Sequence, residues 1–277
     1  IQPRGPDLSS FQTIKNVSIG FHRLAIMDPT FHANQPYIIE DGERTIIFIC
    51  NGEIYNFRDI IKDHQLLIPN NSDCMTIPKL YIKYAPYNPN GKTNIKEFSK
   101  FFVENIKGEF AFVLFEFDRL QNLKQIVVGR DQIGVRPLYW HKPNTKSNEL
   151  IFSSEIKATK HFKNRIQEFE PGTILEINFD SLGEIDSEDT YNFKSVYDII
   201  PDPYSNYRPD DYYLEQIRTS VINSVKRRLL ADRPIAFLLS GGIDSSLTCA
   251  IAAKLLGQNV RTYCCGIKGT NSTDLQY

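Results

Sequence analysis

The feature that most constrains this chain lies near its C-terminal end. A continuous apolar run, Ile235 to Leu239, leads straight into Ser240-Gly241-Gly242-Ile243-Asp244-Ser245-Ser246. A helical pattern follows to Leu256 and stops at Gly257, and Val260 to Cys265 is a second apolar run. Apolar runs without alternation suit strands buried on both faces, and two such strands joined by a helix make a βαβ unit of a parallel sheet. The loop opens the helix, so unpaired N–H groups and the positive dipole end face whatever sits there. Consecutive glycines let backbone approach a phosphate closely, and Ser240, Ser245 and Ser246 add hydroxyl donors. Asp244 repels a phosphate directly but suits a Mg²⁺ ion that bridges to phosphate oxygens. The bland alternative is a Ser/Gly turn that caps a helix. The loop lacks the Gly-Lys-Ser/Thr of a P-loop.

At 277 residues the chain is about 1.8 times the roughly 150 residues of a typical domain, so two domains are expected. The 32 Lys and Arg against 33 Asp and Glu leave no polybasic stripe, which speaks against a nucleic-acid groove. A hydrophobic fraction of 41% excludes a solvating disordered chain. Five cysteines (Cys50, Cys74, Cys249, Cys264 and Cys265) without C-x-x-C spacing read as reduced thiols of an intracellular, cytoplasmic protein. No apolar window is long enough for a transmembrane helix, so no membrane partner is expected. The five histidines show no metal-ligand spacing.

The N-terminal part reads as β-rich. Strands are expected at Thr45–Cys50, Gly108–Phe117, Ile126–Gly129, Ile151–Ser153 and Gly172–Ile177, the second and third as a hairpin. Helices are expected at Ile54–Lys62 and Met75–Tyr84. Strands and helices do not alternate strictly, which predicts an α+β domain with mainly antiparallel sheets. Pro86 to Lys92 has loop chemistry, and Ile200 to Asp211, with three prolines, is the expected linker. An amphipathic helix is expected from Tyr212 to Leu230, with Ile217, Val221 and Val225 on one face.

Six separated segments of the first part carry a resemblance. They are Arg4-Gly5-Pro6-Asp7, His22 to Asp28 (H-R-L-A-I-M-D), Asn51 to Asn56 (N-G-E-I-Y-N), Ser72-Asp73-Cys74, Gly129-Arg130-Asp131 with Gly134 to Tyr139 (G-V-R-P-L-Y), and Ser154 to Lys157. In this order they resemble the class II glutamine amidotransferase domain of asparagine synthetase B-type enzymes. The serine- and glycine-rich loop resembles the S-G-G-x-D-S-S loop of the ATP pyrophosphatase families. Together the resemblance covers nearly the whole chain.

The resemblance implies an αββα sandwich of two antiparallel sheets of the Ntn-hydrolase type over residues 1–195. A truncated, doubly wound α/β domain would begin over residues 208–277. It implies glutamine, aspartate and ATP as substrates, Mg²⁺ as cofactor, and leaves room for a homodimer. Arg23 would grip the glutamine α-carboxylate bidentately, within the segment Leu24, Ala25, Ile26 and Met27. Glu53 and Asp73 would take the α-ammonium. Asn51 (side-chain amide) and Gly52 (backbone N–H) would form the oxyanion hole. Taken singly, Arg23 also reads as a surface ion pair and Asn51-Gly52 as a type I′ hairpin turn. ATP would contact Leu238, Leu239, Ser240, Gly241, Gly242, Asp244, Ser245, Ser246 and Cys265, with Asp244 on the metal.

Class II amidotransferases attack the amide with an N-terminal Cys, whereas this chain begins with Ile1. A preceding segment and most of the synthetase domain are therefore expected to be missing from these 277 residues, which alone would be an inactive piece. A β-lactam synthetase-like ligase with a dead glutaminase, or a non-catalytic module that binds glutamine or nucleotide, are the competing readings.

Overall fold

The computed structural model describes residues 2–88, 92–142, 149–162, 166–193 and 210–266. The chain forms two compact units, Ile1–Ile200 and Pro201–Tyr277. Most of the expected linker, and Asp274-Leu275, lie outside the described residues.

The first unit opens with an antiparallel hairpin, β1 (Leu8–Ile14) and β2 (Val17–Arg23). Strands β3 (Tyr37–Asp41), β4 (Arg44–Ile54), β5 (Gly108–Asp118), β6 (Leu123–Arg130), β10 (Thr173–Phe179) and β11 (Ile185–Asn192) build a sheet in the order β11-β10-β6-β5-β4-β3, antiparallel throughout. Three short strands, β7 (Tyr139–His141), β8 (Ile151–Ser153) and β9 (Gln167–Glu168), form a further antiparallel sheet. Helices α1 (Phe57–Asp63), α2 (Thr76–Tyr84) and α3 (Lys96–Asn105) complete the unit.

The alternation of β5 shows how these layers stack. Ala111, Val113, Phe115 and Phe117 share one core with Ile19, Ile47, Val128, Leu138, Phe169 and Ile177, against which Trp140 and Phe152 pack. That face therefore meets β2 and the three-stranded sheet. Phe110 and Phe112, of the other parity, meet Phe102 of α3 with ring centroids 5.3 and 5.4 Å away. A strand covered on both faces needs an apolar residue at nearly every position, which explains why G-E-F-A-F-V-L-F-E-F is interrupted only by Glu109 and Glu116. Each fully buried Phe contributes about 1.5–3 kcal/mol. The α+β, mainly antiparallel expectation holds for this unit.

Several boundaries differ from those expected. β4 does not end at Cys50 but runs through Asn51-Gly52 to Ile54, because β5 supplies a partner for every residue down to Gly108. Asn51-Gly52 is thus neither a turn nor a strand end, and Ile54 is strand rather than helix; α1 starts three residues later. The strand pair β5–β6 is the expected hairpin, and β8 has the expected bounds.

In the second unit, α4 (Asp210–Arg228) takes in the last two residues of the expected linker. Of its expected apolar face Val225 is buried, whereas Ile217 is 61% exposed, so that face is packed only toward its C-terminal end within the described residues. β12 (Ala236–Leu238), α5 (Ile243–Leu256) and β13 (Arg261–Tyr263) form the expected strand–helix–strand unit with β12 and β13 parallel, but among the described residues the two strands are largely exposed rather than buried on both faces. Gly257 ends α5 in the left-handed region at φ 64°, where a glycine carries no Cβ penalty. Among the described residues no helix is long and apolar enough to cross a membrane.

Candidate functional site

The path to the site begins where β3 stops accompanying β4. Their pairing reaches Tyr37↔Phe48, and beyond it one edge of β4 has no neighbouring strand among the described residues. Two side chains serve that edge instead. Cys50 N donates to Gln35 Oε1 at 2.6 Å while Gln35 Nε2 donates to Cys50 O at 3.3 Å. Ile54 N donates to Asp73 Oδ2 at 2.6 Å. Alternate residues of a strand aim their backbone groups to the same side. Gly52, midway between Cys50 and Ile54, therefore presents its N–H at this edge. Its carbonyl accepts from Cys74 Sγ at 3.4 Å on the same side.

Side chains of the other parity leave β4 toward the sheet–sheet layer. Asn51 and Glu53 stand opposite Ala111 and Glu109, and both line a hollow of about 650 Å³. Around it stand Arg23, Leu24, Ile26 and Met27 from the segment after β2, Asp73 and Cys74 from the 3-10 turn Asp73–Met75, and Arg136 from the loop after β6. The structure thus brings together every residue assigned to the glutamine site in the sequence except Ala25. That residue lies outside the lining, with its N–H tied to Asp7 Oδ2 at 2.8 Å. Gly5 serves the same junction, since a Cβ there would lie 2.1 Å from the His22 carbonyl oxygen.

Arg23 is not a surface residue: it is 7% exposed. Its Nη1 donates to Thr30 O at 2.8 Å and Asn34 Oδ1 at 2.6 Å, and its Nη2 to Met27 O at 3.1 Å and to Asp28 O. Four protein acceptors occupy the four Nη hydrogens. A bidentate grip on a carboxylate through both Nη groups therefore competes with the loop that Arg23 holds in place.

The carboxylates give the hollow its electrostatic character. Burial pushes Glu53 up to about 8, the neighbouring Asp73 carboxylate adds to the rise, and Arg136 opposes it. Burial also raises Asp73, against the N–H of Ile54 and Cys74 that stabilise its anion. Two buried acidic groups with raised affinity for protons form a receptor for a cation. The Cys74 thiol is pushed well up by a side-chain hydrogen bond with the free Cys50 thiol and by burial. Neither buried thiol is placed as a reactive nucleophile.

In the second unit the Ser240–Ser246 loop organises itself. Ser245 Oγ lies 3.0 Å from Ser240 Oγ, accepts from Ser240 N at 3.2 Å and donates to Gly242 O at 3.1 Å. Gly241 has φ 81°, open to glycine and costly for other residues. Asp244 is exposed in the first turn of α5, and Leu238, 78% exposed, stands just before the loop. Leu239 N donates to Tyr263 O at 2.8 Å, which ties the loop's root to the strand that precedes Cys265. Among the described residues no cluster of three or more His, Cys, Asp or Glu is placed to hold a metal ion. A single carboxylate suits Mg²⁺ only where substrate phosphates and waters complete its shell.

Sequence reasoning passed over Gln35, Glu109 and Arg136. Only Arg136 lay in a segment already singled out, G-V-R-P-L-Y, and there it had no assigned task.

An antiparallel sheet thus brings a backbone N–H, a carboxamide and two carboxylates to one hollow. The chain belongs to the glutamine amidotransferase domain family, whose model matches residues 1–212. Residues 216–277 match the asparagine synthase family model. Among relatives, a probable asparagine synthetase [glutamine-hydrolyzing] of Acanthamoeba polyphaga mimivirus is 31% identical, over 96% of this chain and 47% of that protein. Asparagine synthetase [glutamine-hydrolyzing] 3 of Arabidopsis thaliana is 32% identical, over 98% and 42%. Asparagine synthetase B [glutamine-hydrolyzing] of Escherichia coli is 29% identical, over 93% and 41%. The chain spans less than half the length of these relatives.

Proposed function

We propose that this chain carries the glutamine-hydrolysing domain and the first part of the ATP-using domain of a glutamine-dependent asparagine synthetase. The observation that carries the reading is the convergence of Asn51, Gly52, Glu53 and Asp73 on one hollow, in a chain whose other unit opens a helix with Ser-Gly-Gly-Ile-Asp-Ser-Ser. Cleavage of a carboxamide builds a tetrahedral oxyanion. The Gly52 N–H and the Asn51 side-chain amide are the donors that would meet it. Glu53 and Asp73 would receive the α-ammonium, and the fixed charge of Arg23 would attract the α-carboxylate. In the class II scheme, attack of a cysteine thiol releases ammonia and leaves a thioester, which water resolves to glutamate.

In the second half-reaction aspartate attacks the α-phosphate of ATP, so that pyrophosphate leaves and a β-aspartyl adenylate forms. Ammonia then displaces AMP to give asparagine. The backbone and hydroxyls of Ser240, Gly241, Gly242, Ser245 and Ser246 would cradle the phosphates. Asp244 would hold the Mg²⁺ that neutralises the leaving pyrophosphate. Leu238, Leu239 and Cys265 would flank the adenine at the strand ends. The finer architecture, an Ntn-type αββα sandwich over 1–195 and a doubly wound domain beginning at 208–277, belongs to the same proposal.

The test uses the full-length protein. Asn51→Ala should lower glutaminase kcat by about 10²–10³. Asp244→Asn should abolish Mg-dependent pyrophosphate release and spare glutamine hydrolysis. Equal loss of both activities in Asp244→Asn would overturn the two-site scheme.

A further inference from the structure

Two carboxylates, Glu53 and Asp73, line the hollow, and a third, Glu109, stands beside Glu53. Glu53 and Glu109 are direct cross-strand partners on β4 and β5, so their side chains leave the sheet on the same face, an arrangement that repels when both are charged. Asp73 acts on Glu53 from the 3-10 turn. The cation that stands against them is Arg136, whose Nη2 donates to Glu109 Oε1 at 2.9 Å. Its Nε is buried without an acceptor among the described residues.

The loop holds residue 136 from both sides. Its N–H donates to Asp131 Oδ2 at 3.0 Å, and the same carboxylate gathers Val135 N at 2.8 Å and Phe110 N at 3.2 Å. Its carbonyl accepts from Arg130 Nε at 2.8 Å, while Arg130 Nη1 reaches Phe169 O at 2.6 Å. A guanidinium mounted on a backbone clamped at N–H and C=O has little freedom to wander.

We propose that Arg136 is a positioning residue of the amino-acid site: it draws Glu109 away from Glu53 and so leaves Glu53 and Asp73 as the pair that receives the ligand's ammonium. The inference rests on the reading of the hollow as the glutamine site. Arg136 touches no reacting atom in that scheme. The charged and titratable groups near Glu53 are Asp73 and Cys74 on the turn, Glu109 on β5, Arg136 on the loop and Cys50 on its own strand, with Arg4, His22 and Arg23 elsewhere on the lining of the hollow. Removing Arg136 takes away its ion pair with Glu109 and its own charge beside Glu53. Glu53 then keeps its proton to higher pH, and an arriving ammonium must displace it.

Full-length wild-type, R136Q, R136K and E109Q/R136Q proteins are compared for glutamine hydrolysis between about pH 6 and pH 9. R136Q should raise the KM for glutamine roughly tenfold near neutrality and leave kcat within about twofold, with the KM gap narrowing toward alkaline pH. R136K should restore most of the loss. E109Q/R136Q should restore it too, because the third carboxylate is gone. An unshifted KM–pH profile in R136Q, a fall in kcat at constant KM, or no recovery in E109Q/R136Q overturns the proposal. R136K and the double variant keep the test decisive if R136Q folds poorly. A wild type that hydrolyses no glutamine fails the site reading and this inference with it, whereas a saturable wild type with an unshifted R136Q fails the inference alone.

Discussion

Gln35 pairs with Cys50 as if it were a residue of a neighbouring strand. Its side-chain amide accepts from Cys50 N at 2.6 Å and donates to Cys50 O at 3.3 Å. This prosthetic rung lies directly before Asn51 and Gly52, where β3 no longer lends support. Gln35→Ala should cost about 1–3 kcal/mol, because two buried backbone groups lose their partners. Urea denaturation of wild type and variant measures it, and a loss below experimental error would count against the rung.

Gly52 faces a different constraint. A Cβ there would lie 2.3 Å from the Glu109 carbonyl oxygen and 2.5 Å from Phe110 Cα. Both are backbone atoms of the paired strand, so no side chain can turn aside. Gly52→Ala should therefore cost at least about 2–3 kcal/mol and remove glutaminase activity in the full-length protein. A stable, fully active Ala variant would refute the packing argument.

The Arg44–Glu116 pair is sealed from water, each side chain 1% exposed and 2.8 Å from the other. Tyr81 and Thr93 hydroxyls also donate to Glu116, at 2.8 and 2.6 Å. Arg44→Met should destabilise by about 3–5 kcal/mol, since Glu116 loses its counter-charge in the interior. Adding Glu116→Gln should recover part of that loss. A double-mutant cycle in denaturant gives the coupling, and strict additivity would disprove it.

Glu53 makes stability depend on pH with a definite sign. Its carboxyl ordinarily titrates at 4.5 and is pushed up to about 8 in the fold. Across that window the folded state holds a proton that the unfolded chain has released. Stability is therefore greatest at the acid end of the window and falls as pH rises through it. Glu53→Gln should flatten the slope, as thermal melts at several pH values would reveal; an unchanged slope would assign the effect elsewhere.

Much of this architecture was legible where one periodicity ruled alone. The Phe-rich run of β5 and the glycine stop of α5 at Gly257 follow from local chemistry. Asn51-Gly52 misled because that dipeptide favours a turn in isolation, while the long-range partner Ala111-Phe110 keeps it extended. The polar β11, Ile185–Asn192, offered no hydrophobic signal, since its backbone pairing with β10 defines it. Helix α3 was readable from Phe98 and Phe102, four apart and both buried, but the loop chemistry before it obscured its start. The hollow's members were visible as motifs, yet the relation of Arg136 to Glu53 was not. It depends on Glu53 and Glu109 standing abreast, a register that pattern alone cannot set.

The alternation of β4 acts as a reading frame in space as well as in sequence. Deleting one residue between Arg44 and Asn51 would rotate all that follows by half a turn. The carboxamide would point among the phenylalanines, and the exposed edge would offer the wrong amide. Length in this short stretch is thus under tighter control than composition: many apolar substitutions upstream could be absorbed, but no change in their number.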